Sequence, residues 1–178
     1  MLRLFVGLGL PDAVRLQLAA MNGGVPDARW VAPENLHLSL RFIGEVDEFT
    51  AEDIDAALVQ IHAPPVEITL TGVGCFESRG RARAVWAGAK PCRELLDLQA
   101  RVEASLQRAG LEPEGRKFTP HVTLARLRRV PVEQIAPYLS GHGGFAAPPF
   151  SSTEFILYRS HLGHGGANYQ VLETYPLI

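Results

Sequence analysis

The sequence predicts an α+β fold built from two lobes that a pseudo-two-fold axis relates. Two observations lead to this prediction. The chain repeats itself once with a period of about eighty residues, which is too long for a solenoid unit. Within each copy, short strands are joined by hairpins and interleaved with helical segments on one side, as in α+β proteins. With 178 residues, the chain is long enough to bury a core of its own.

The first copy opens with a buried strand over residues 3–10. Pro11 stands where helices often begin, and the residues after it have helical spacing. A second strand covers residues 36–42, and the helix after it has Thr50 as its predicted N-cap. A strand over residues 66–73 ends the copy. The order is therefore strand, helix, strand, helix, strand.

The second copy repeats this order. Its first strand and the proline after it, "RAVWAGAKP" at 83–91, align with "RLFVGLGLP" at 3–11, with Arg on Arg and Pro on Pro. The other predicted elements of this copy are a helix over 93–109, a strand over 115–127, a helix over 132–139 and strands over 153–160 and 168–178.

The composition limits the kinds of partner that the chain can have. Its formal net charge is −2, so any contact with nucleic acid should be local. Cys75 and Cys92 are too few for a disulfide framework and match no zinc pattern, so we expect reduced thiols. The N-terminal apolar run ends at Pro11 and makes a poor signal peptide, and no segment is long enough to span a membrane. We therefore expect a cytoplasmic protein without membrane contact.

Two short polar patterns lie on corresponding strands of the two copies. "LHLSL" contains His37 and Ser39, and "PHVTL" contains His121 and Thr123. Side chains two positions apart in a strand point to the same face, roughly 7 Å from each other. A solvated strand face would give no reason for both copies to keep these residues. We expect the pseudo-two-fold axis to set the two pairs opposite each other in a cleft.

Three kinds of chemistry use these residue types. A zinc site usually has three or four ligands, and no Asp, Glu or Cys shares the motifs, so we expect no metal and no cofactor. A nucleophilic hydroxyl would need a strained turn, which neither motif contains. Paired general acid–base catalysis on a phosphodiester fits best, because a histidine can give or take a proton at neutral pH. The motifs alone leave open which histidine is the acid.

These motifs and their flanks resemble the 2H phosphoesterases, and closely the bacterial RNA 2′,3′-cyclic phosphodiesterases once called 2′-5′ RNA ligases. The resemblance runs end to end and is carried by "RLFVGLGLP", "RWVAPENLHLSLRFIGEV", "RARAVWAG", "KFTPHVTLAR" and "SHLGHGGANYQVLETYPL". It implies one bilobal domain over residues 1–178, with an antiparallel sheet and outer helices in each lobe around a central cleft. It also implies metal-independent hydrolysis of RNA 2′,3′-cyclic phosphate ends to 2′-phosphomonoesters.

The resemblance further implies a role for each motif residue. His37 would be the proton donor to the 3′-oxygen, and His121 would be the proton acceptor that activates water. Ser39 and Thr123 would bind the phosphate. The family more often has Thr at the position of Ser39, and this departure keeps the hydroxyl.

Two arginines are candidates for substrate binding. Arg126 matches the arginine that follows the second motif in the family. Simple alternation places Arg126 on the face opposite His121, so a bulge or the end of the strand would have to turn it inward. Arg41 lies on the face of His37 by the same count and is the second candidate.

The implied partners are RNA 3′ ends that carry a 2′,3′-cyclic phosphate, or small nucleotides, bound by a monomeric protein. Two alternative functions stay open. Microscopic reversibility allows the same acid–base pair to join RNA ends through a 2′-5′ linkage. A nucleotide-binding module without turnover is the other alternative, and the intact His37 and His121 argue against it.

Two further sets of side chains could contact RNA or could be ordinary surface and core residues. The basic residues that could follow an RNA backbone are Arg79, Arg81, Arg83, Arg116, Lys117, Arg128 and Arg129. The aromatic residues that could stack on a base are Phe42, Phe76, Phe118 and Tyr169. Alternation places Phe42 on the apolar face, so we expect it in the core.

Overall fold

Ten strands and four α-helices make up the computed structural model, which describes all 178 residues. This content confirms the predicted α+β class. No helix is long and apolar enough to cross a lipid bilayer. In chain order the elements are β1 (Leu2–Gly9), α1 (Asp12–Ala19), β2 (Arg29–Trp30), β3 (His37–Val46), α2 (Glu48–Leu58), β4 (Val66–Ile68), β5 (Leu70–Ser78), β6 (Arg81–Ala89), α3 (Arg93–Arg108), β7 (His121–Pro131), α4 (Val132–Gly141), β8 (Phe150–Ser152), β9 (Glu154–Gly163) and β10 (Gly166–Pro176).

The strands form two antiparallel half-sheets that meet along one seam. Their order is β10-β9-β1-β3-β7-β6-β5, with β2 attached to β7. At the seam, β3 and β7 are in register at a single pair, Leu38 with Val122. The half-sheets therefore touch near the start of both strands and leave a cleft between them. Strands β4 and β8 form a separate two-stranded sheet.

Each lobe contains elements from both copies of the sequence repeat. Strands β9 and β10 belong to the second copy, but they extend the half-sheet of β1 and β3. Helix α3 follows β6 in the chain, yet it packs against β3 and α2. Helix α4 packs against β5, β6 and β7. The two lobes are thus interlocked, which the order of elements in the sequence did not predict.

One continuous core lies beneath both half-sheets. Its 39 buried apolar residues include Leu38 and Val122, both fully buried, so the core crosses the seam without interruption. The lobes consequently cannot separate without exposing apolar surface to water. This continuity keeps the two strands of the seam at a fixed distance.

Three local predictions differ from the structure. The strand predicted over residues 115–127 begins only at His121, so residues 115–120 lie outside it. Helix α2 begins earlier than predicted, because Asp47 is its N-cap and its carboxylate accepts a 2.7 Å hydrogen bond from the N–H of Thr50. The strand predicted over residues 66–73 is broken at Thr69, and its two parts join different sheets. Cys75 and Cys92 are both free and partly buried in the structure.

Candidate active site

The first residues of β3 and β7 are the two motif histidines. Because Leu38 pairs with Val122 in antiparallel register, His37 stands opposite Thr123 and Ser39 stands opposite His121. All four motif side chains line the same cleft. The structure therefore brings together the two pairs that the sequence analysis placed face to face.

A β-bulge in β7 turns Arg126 into the cleft. Trp86 of β6 pairs with Thr123, while the next residue along, Val85, pairs with Ala125, so Leu124 has no partner. This extra residue reverses the alternation, and Arg126 joins the face of Thr123 and lines the cleft. The predicted need for a bulge at this arginine is confirmed. The guanidinium of Arg126 makes no hydrogen bond or ion pair within the protein and is free to bind an anion.

A matching bulge in β3 overturns two predictions. Leu40 has no partner in β1, because Ser39 pairs with Gly7 and Arg41 pairs with the adjacent residue Val6. Beyond Leu40, each side chain of β3 therefore points to the face opposite the one that regular alternation predicts. Phe42 is 44% exposed and lines the cleft, so its predicted place in the core is wrong. The prediction that Arg41 shares the face of His37 is wrong for the same reason.

Arg41 is instead a buried residue, and each of its three guanidinium nitrogens donates a hydrogen bond within the protein. Its Nε donates to Oε2 of Glu103 at 2.6 Å, and its two terminal nitrogens donate to the carbonyls of Phe42 at 2.7 Å and Glu112 at 2.5 Å. The side chain is only 7% exposed, although it borders the cleft. These bonds tie the guanidinium to the protein, in contrast to the unpartnered guanidinium of Arg126.

Hydrogen bonds fix the tautomer of His37. The ring lies 2.7 Å from the carbonyl of Asn35 through Nδ1, and a carbonyl can only accept, so Nδ1 carries the proton. In the neutral ring Nε2 is then an acceptor, and it takes a 2.9 Å hydrogen bond from the hydroxyl of Ser39. The reactive nitrogen of His37 thus faces the hydroxyl of its own motif.

Aromatic rings surround His37. The ring centroids of Phe5, Tyr169 and Tyr158 lie 4.7, 5.2 and 5.8 Å from the centroid of its imidazole. Burial among these rings lowers the pKa of His37 to about 4, in spite of the opposing effect of the hydrogen bond that Nδ1–H donates to the carbonyl of Asn35. The nearby cation of Arg126 acts in the same direction as burial. His37 is therefore neutral in the unliganded protein at neutral pH.

His121 has a similar anchor and a more open ring. Its Nδ1–H donates to the carbonyl of Thr119 at 2.6 Å, so Nε2 is again the free nitrogen. Phe76 contacts the imidazole edge-on, with 4.8 Å between centroids, and Trp86 lies at 6.1 Å. Burial lowers the pKa of His121, while the hydrogen bond to Thr119 opposes the shift. Nε2 of His121 makes no hydrogen bond within the protein.

The two walls of the cleft differ in chemistry. The cleft has a volume of about 880 Å³. On the side of β1, β3, β9 and β10 it is mainly apolar and aromatic, with Phe42, Leu162, Ala167 and Tyr169. The cations of the opposite wall, beside β6, β7 and the loop before β7, are Arg83, Arg116, Lys117 and Arg126. An anionic ligand with an aromatic end would therefore bind in a single orientation, with its aromatic end against the apolar wall and its anionic groups against the cationic wall.

The structure separates the weaker candidates into residues that line the cleft and residues that do not, and it adds one further candidate. All four aromatic candidates line the cleft, whereas only Arg83, Arg116 and Lys117 of the seven basic candidates do. Sequence reasoning missed Arg3, which lines the cleft and lies with its guanidinium carbon 5.2 Å from the centroid of the Phe42 ring. The alignment of Arg3 with Arg83 in the repeat was the signal that could have identified it.

Comparison with known proteins places the chain in a family. The amino-acid sequence matches a model described as the 2′-5′ RNA ligase superfamily over residues 10–164. The chain belongs to this superfamily. A superfamily relative, the RNA 2′,3′-cyclic phosphodiesterase of Escherichia coli K12, is 32% identical over 179 residues, which cover 98% of this chain and 96% of the relative. The Archaeoglobus fulgidus protein of the same name is 30% identical over 177 residues, which cover 98% and 99%.

Solved structures show the superfamily fold. Escherichia coli LigT complexed with 3′-AMP has a TM-score of 0.79 and 29% identity, and the match covers 99% of this chain and 98% of LigT. The Thermus thermophilus protein TT0787 has a TM-score of 0.81 and 28% identity, with 98% and 97% covered. LigT has also been solved with ATP and with NADP⁺. The predicted family and fold class are both confirmed.

Proposed function

We propose that this chain is an RNA 2′,3′-cyclic phosphodiesterase, which hydrolyses 2′,3′-cyclic phosphate ends to 2′-phosphomonoesters without a metal ion. One observation carries the proposal. His37 and His121 begin neighbouring strands and face each other across one cleft, with Ser39 and Thr123 between them. The names of the Escherichia coli and Archaeoglobus fulgidus relatives support the same activity.

The phosphate would lie between the two motifs. The hydroxyls of Ser39 and Thr123 would donate to its non-bridging oxygens, and Arg126 would supply a positive charge. This arginine has no competing partner in the unliganded protein, unlike Arg41, so we assign the phosphate contact to Arg126. Charge-assisted hydrogen bonds of this kind strengthen as negative charge builds on the oxygens in the transition state.

The bond changes use the Nε2 atom of each histidine. His121 takes a proton from water, the water oxygen forms a bond to phosphorus, and the bond from phosphorus to O3′ breaks. His37 gives a proton to O3′, which leaves as the 3′-hydroxyl, and the phosphate stays on O2′. The Nδ1 anchors of both rings aim the reactive nitrogens and leave them free to exchange protons.

The donor role requires that His37 be protonated when substrate is bound. In the free protein burial holds the pKa of His37 at about 4. A bound phosphate anion favours the imidazolium and raises this pKa. The phosphate also draws the hydroxyl hydrogen of Ser39 toward itself and so releases Nε2 of His37. Substrate binding would thus charge the acid that the reaction needs.

A substrate with sulfur in place of O3′ tests which histidine is the acid, because a thiolate leaves without protonation. On the oxygen substrate, His37→Ala and His121→Ala should each lower kcat about 10²–10⁴-fold, the usual contribution of a general acid or base. The sulfur substrate should restore much of the loss in His37→Ala and little of it in His121→Ala. The opposite pattern would exchange the two roles.

The walls of the cleft suggest how a nucleotide would be oriented. The apolar wall offers the exposed ring of Phe42, backed by Arg3, as a surface for a base. The cationic wall offers Arg83 and Lys117 to phosphates beyond the terminal nucleotide. Small nucleotides would use only the part near the motifs, and the complexes of LigT with 3′-AMP and ATP support this class of ligand.

The activity is tested with an oligoribonucleotide that ends in a 2′,3′-cyclic phosphate, in the presence of EDTA. We expect a 2′-phosphomonoester, identified by its mobility beside 2′- and 3′-phosphate standards. A 3′-phosphate product would overturn the assignment of O3′ as the leaving group. Loss of activity in EDTA that zinc restores would overturn the metal-independent mechanism.

RNA ligation is the second candidate, and the description of the superfamily favours testing it. With a 5′-hydroxyl in place of water, the same proton transfers would join a cyclic phosphate end to that hydroxyl through a 2′-5′ linkage, and O3′ would again leave as the 3′-hydroxyl. The assay adds a 5′-hydroxyl acceptor to the same substrate and measures both products. We expect hydrolysis to dominate in dilute solution, where water is in large excess, and we expect a monomer by sedimentation.

A further inference from the structure

A loop without helix or strand, residues 111–120, joins α3 to β7 and forms part of the cationic wall. At its start, the N–H of Leu111 donates to the carbonyl of Leu106 at 3.0 Å. At its end, the carbonyl of Pro120 accepts from the N–H of Ala89 at 3.1 Å. The side chains of this loop that line the cleft are those of Glu114, Arg116, Lys117, Phe118 and Thr119.

The middle of the loop is held by two side chains from other elements. Glu103 of α3 accepts a 2.9 Å hydrogen bond from the N–H of Glu114 through Oε1. Its other oxygen, Oε2, accepts from Nε of Arg41 at 2.6 Å. Arg41 then reaches the loop directly, since its guanidinium donates to the carbonyl of Glu112 at 2.5 Å. Strand β3, helix α3 and the loop therefore meet at one ion pair.

This ion pair is largely removed from water. The side chain of Arg41 is 7% exposed and that of Glu103 is 17% exposed. Burying a charged pair costs desolvation free energy, and apolar residues of similar volume often stabilise a protein at least as well. The position of the pair, between the strand of His37 and the loop before His121, therefore points to a role in geometry.

We propose that Arg41 and Glu103 are positioning residues that hold the 111–119 loop against β3 and so set the cationic wall relative to the two histidines. Only the expected effect on KM rests on the proposed function, and the anchoring of the loop does not. His37, Ser39 and Arg41 are alternate residues of β3. In a strand without a bulge, the side chain of Arg41 would therefore point toward the substrate, as those of His37 and Ser39 do. The bulge at Leu40 sends it behind the cleft, where it acts through the loop.

The expected effect falls on substrate binding more than on the chemical step. Pro120 is tied to β6 independently, so His121 should keep its place when the middle of the loop is released. Lys117 has no such second anchor, whereas Phe118 packs against the apolar core. Losing a buried hydrogen bond to a charged group costs about 1.5–3 kcal/mol, which corresponds to about a tenfold or larger rise in KM. We expect kcat to change less than KM.

The rate of trypsin cleavage measures how firmly the loop is held, and it does not depend on catalytic activity. Arg116 and Lys117 are exposed cleavage sites within the loop. Under native conditions we expect Arg41→Met and Glu103→Gln to be cut after these residues about tenfold faster than the wild type, with the cut identified by mass spectrometry. Glu103→Gln keeps the shape of the side chain and serves if Arg41→Met does not fold. Arg41→Lys keeps the charge but not the fork of donors, and should be intermediate.

The matched control is Asp97→Asn, which removes an exposed ion pair with Arg93 on the same helix, 3.7 Å long. It should behave as the wild type in both cleavage and KM. Faster cleavage together with a raised KM supports the positioning role. A lowered melting temperature with unchanged cleavage at 116–117 and unchanged KM would show a purely structural pair and overturn the inference. If the wild type hydrolyses no cyclic phosphate, the proposed function fails while the cleavage experiment still decides this inference.

Discussion

The two imidazoles of the cleft occupy equivalent positions but unequal surroundings. Both donate Nδ1–H to the carbonyl two residues earlier, of Asn35 and of Thr119. His37 is enclosed by three aromatic rings and holds the hydroxyl of Ser39, whereas Nε2 of His121 is free. The two copies of the motif therefore place their histidines in different surroundings.

The pH dependence of the rate should reflect these lowered pKa values. The profile of kcat/KM reports the acid and the base of the free enzyme, and burial lowers the pKa of His37 from 6.5 to about 4 and that of His121 by less. We expect a bell-shaped profile of kcat/KM with its maximum below pH 6.5. The profile of kcat should lie at higher pH, because bound phosphate favours the imidazolium. An alkaline maximum of kcat/KM would contradict this interpretation.

The free energy of unfolding should also depend on His37. Its pKa is about 4 in the folded protein and near 6.5 in the unfolded chain, so the unfolded chain binds more protons between these values. Stability therefore falls as the pH drops from 6.5 toward 4. We expect His37→Gln to flatten this part of the curve, measured by urea unfolding at a series of pH values. A variant with an unchanged slope would show that other groups dominate.

At the scale of elements, two β-bulges decide what faces the cleft. Leu40 in β3 and Leu124 in β7 are unpaired at equivalent places, and each reverses the alternation beyond it. The next inward positions hold Phe42 in one strand and Arg126 in the other. The two copies therefore share the β-bulge and differ in the side chain that the bulge turns into the cleft. This difference makes one wall aromatic and the other cationic.

A side chain at position 74 should disturb the second half of the site. A Cβ on Gly74 of β5 would lie 2.4 Å from ring carbons of Trp86, whose centroid is 6.1 Å from that of His121. We expect Gly74→Ala to lower the free energy of unfolding by about 1–3 kcal/mol, the usual cost of overpacking. Tryptophan fluorescence and kcat should change with it.

Gly141→Ala is the control for this substitution. Gly141 is the last residue of α4, and a Cβ there would meet no heavy atom within 4 Å. Its stability should equal or slightly exceed that of the wild type, because alanine favours the helix. Equal stability of the two alanine variants would show that Trp86 relaxes without cost.

At the scale of the whole molecule, a net charge of −2 conceals an uneven distribution. Four cations line one wall of the cleft, and of these only Arg116 forms an ion pair, with Glu114 at 3.3 Å. The chain is therefore weakly acidic as a whole and basic where the substrate would enter. Local charge of this kind attracts RNA ends without binding nucleic acid in general.

The dependence of kcat/KM on salt tests this distribution. Each phosphate contact on a single strand contributes about 0.7 to the slope of log affinity against log salt concentration. We expect a steeper slope for a cyclic-phosphate oligonucleotide than for a cyclic mononucleotide. Arg83→Gln should reduce the oligonucleotide slope by about this amount, whereas Arg93→Gln, on the outside of α3, should not. Equal slopes for both substrates would place the longer RNA outside the cleft.

The sequence by itself determined the longer strands, the helices and the four motif residues, but it did not reveal the short strands β2 and β8 or the break at Thr69. Local patterns suffice for these features, because alternation and helical spacing record which side chains face the core. The pairing of His37 with His121 also followed from the sequence, since the two copies carry the same motif at matching positions. The resemblance to the 2H phosphoesterases supplied the reaction, which spacing alone does not specify.

Only the tertiary structure decided which arginine faces the cleft and how the lobes are assembled. A bulge depends on how two strands pair, and neither Leu40 nor Leu124 differs in type from a regularly paired residue. The partners of Arg41 come from residues 103 and 112, which are distant in sequence and which only folding brings to β3. The exchange of helices and strands between the lobes is likewise a matter of packing. Periodicity reports the face that a residue takes on its own strand, and long-range contacts set what that face meets.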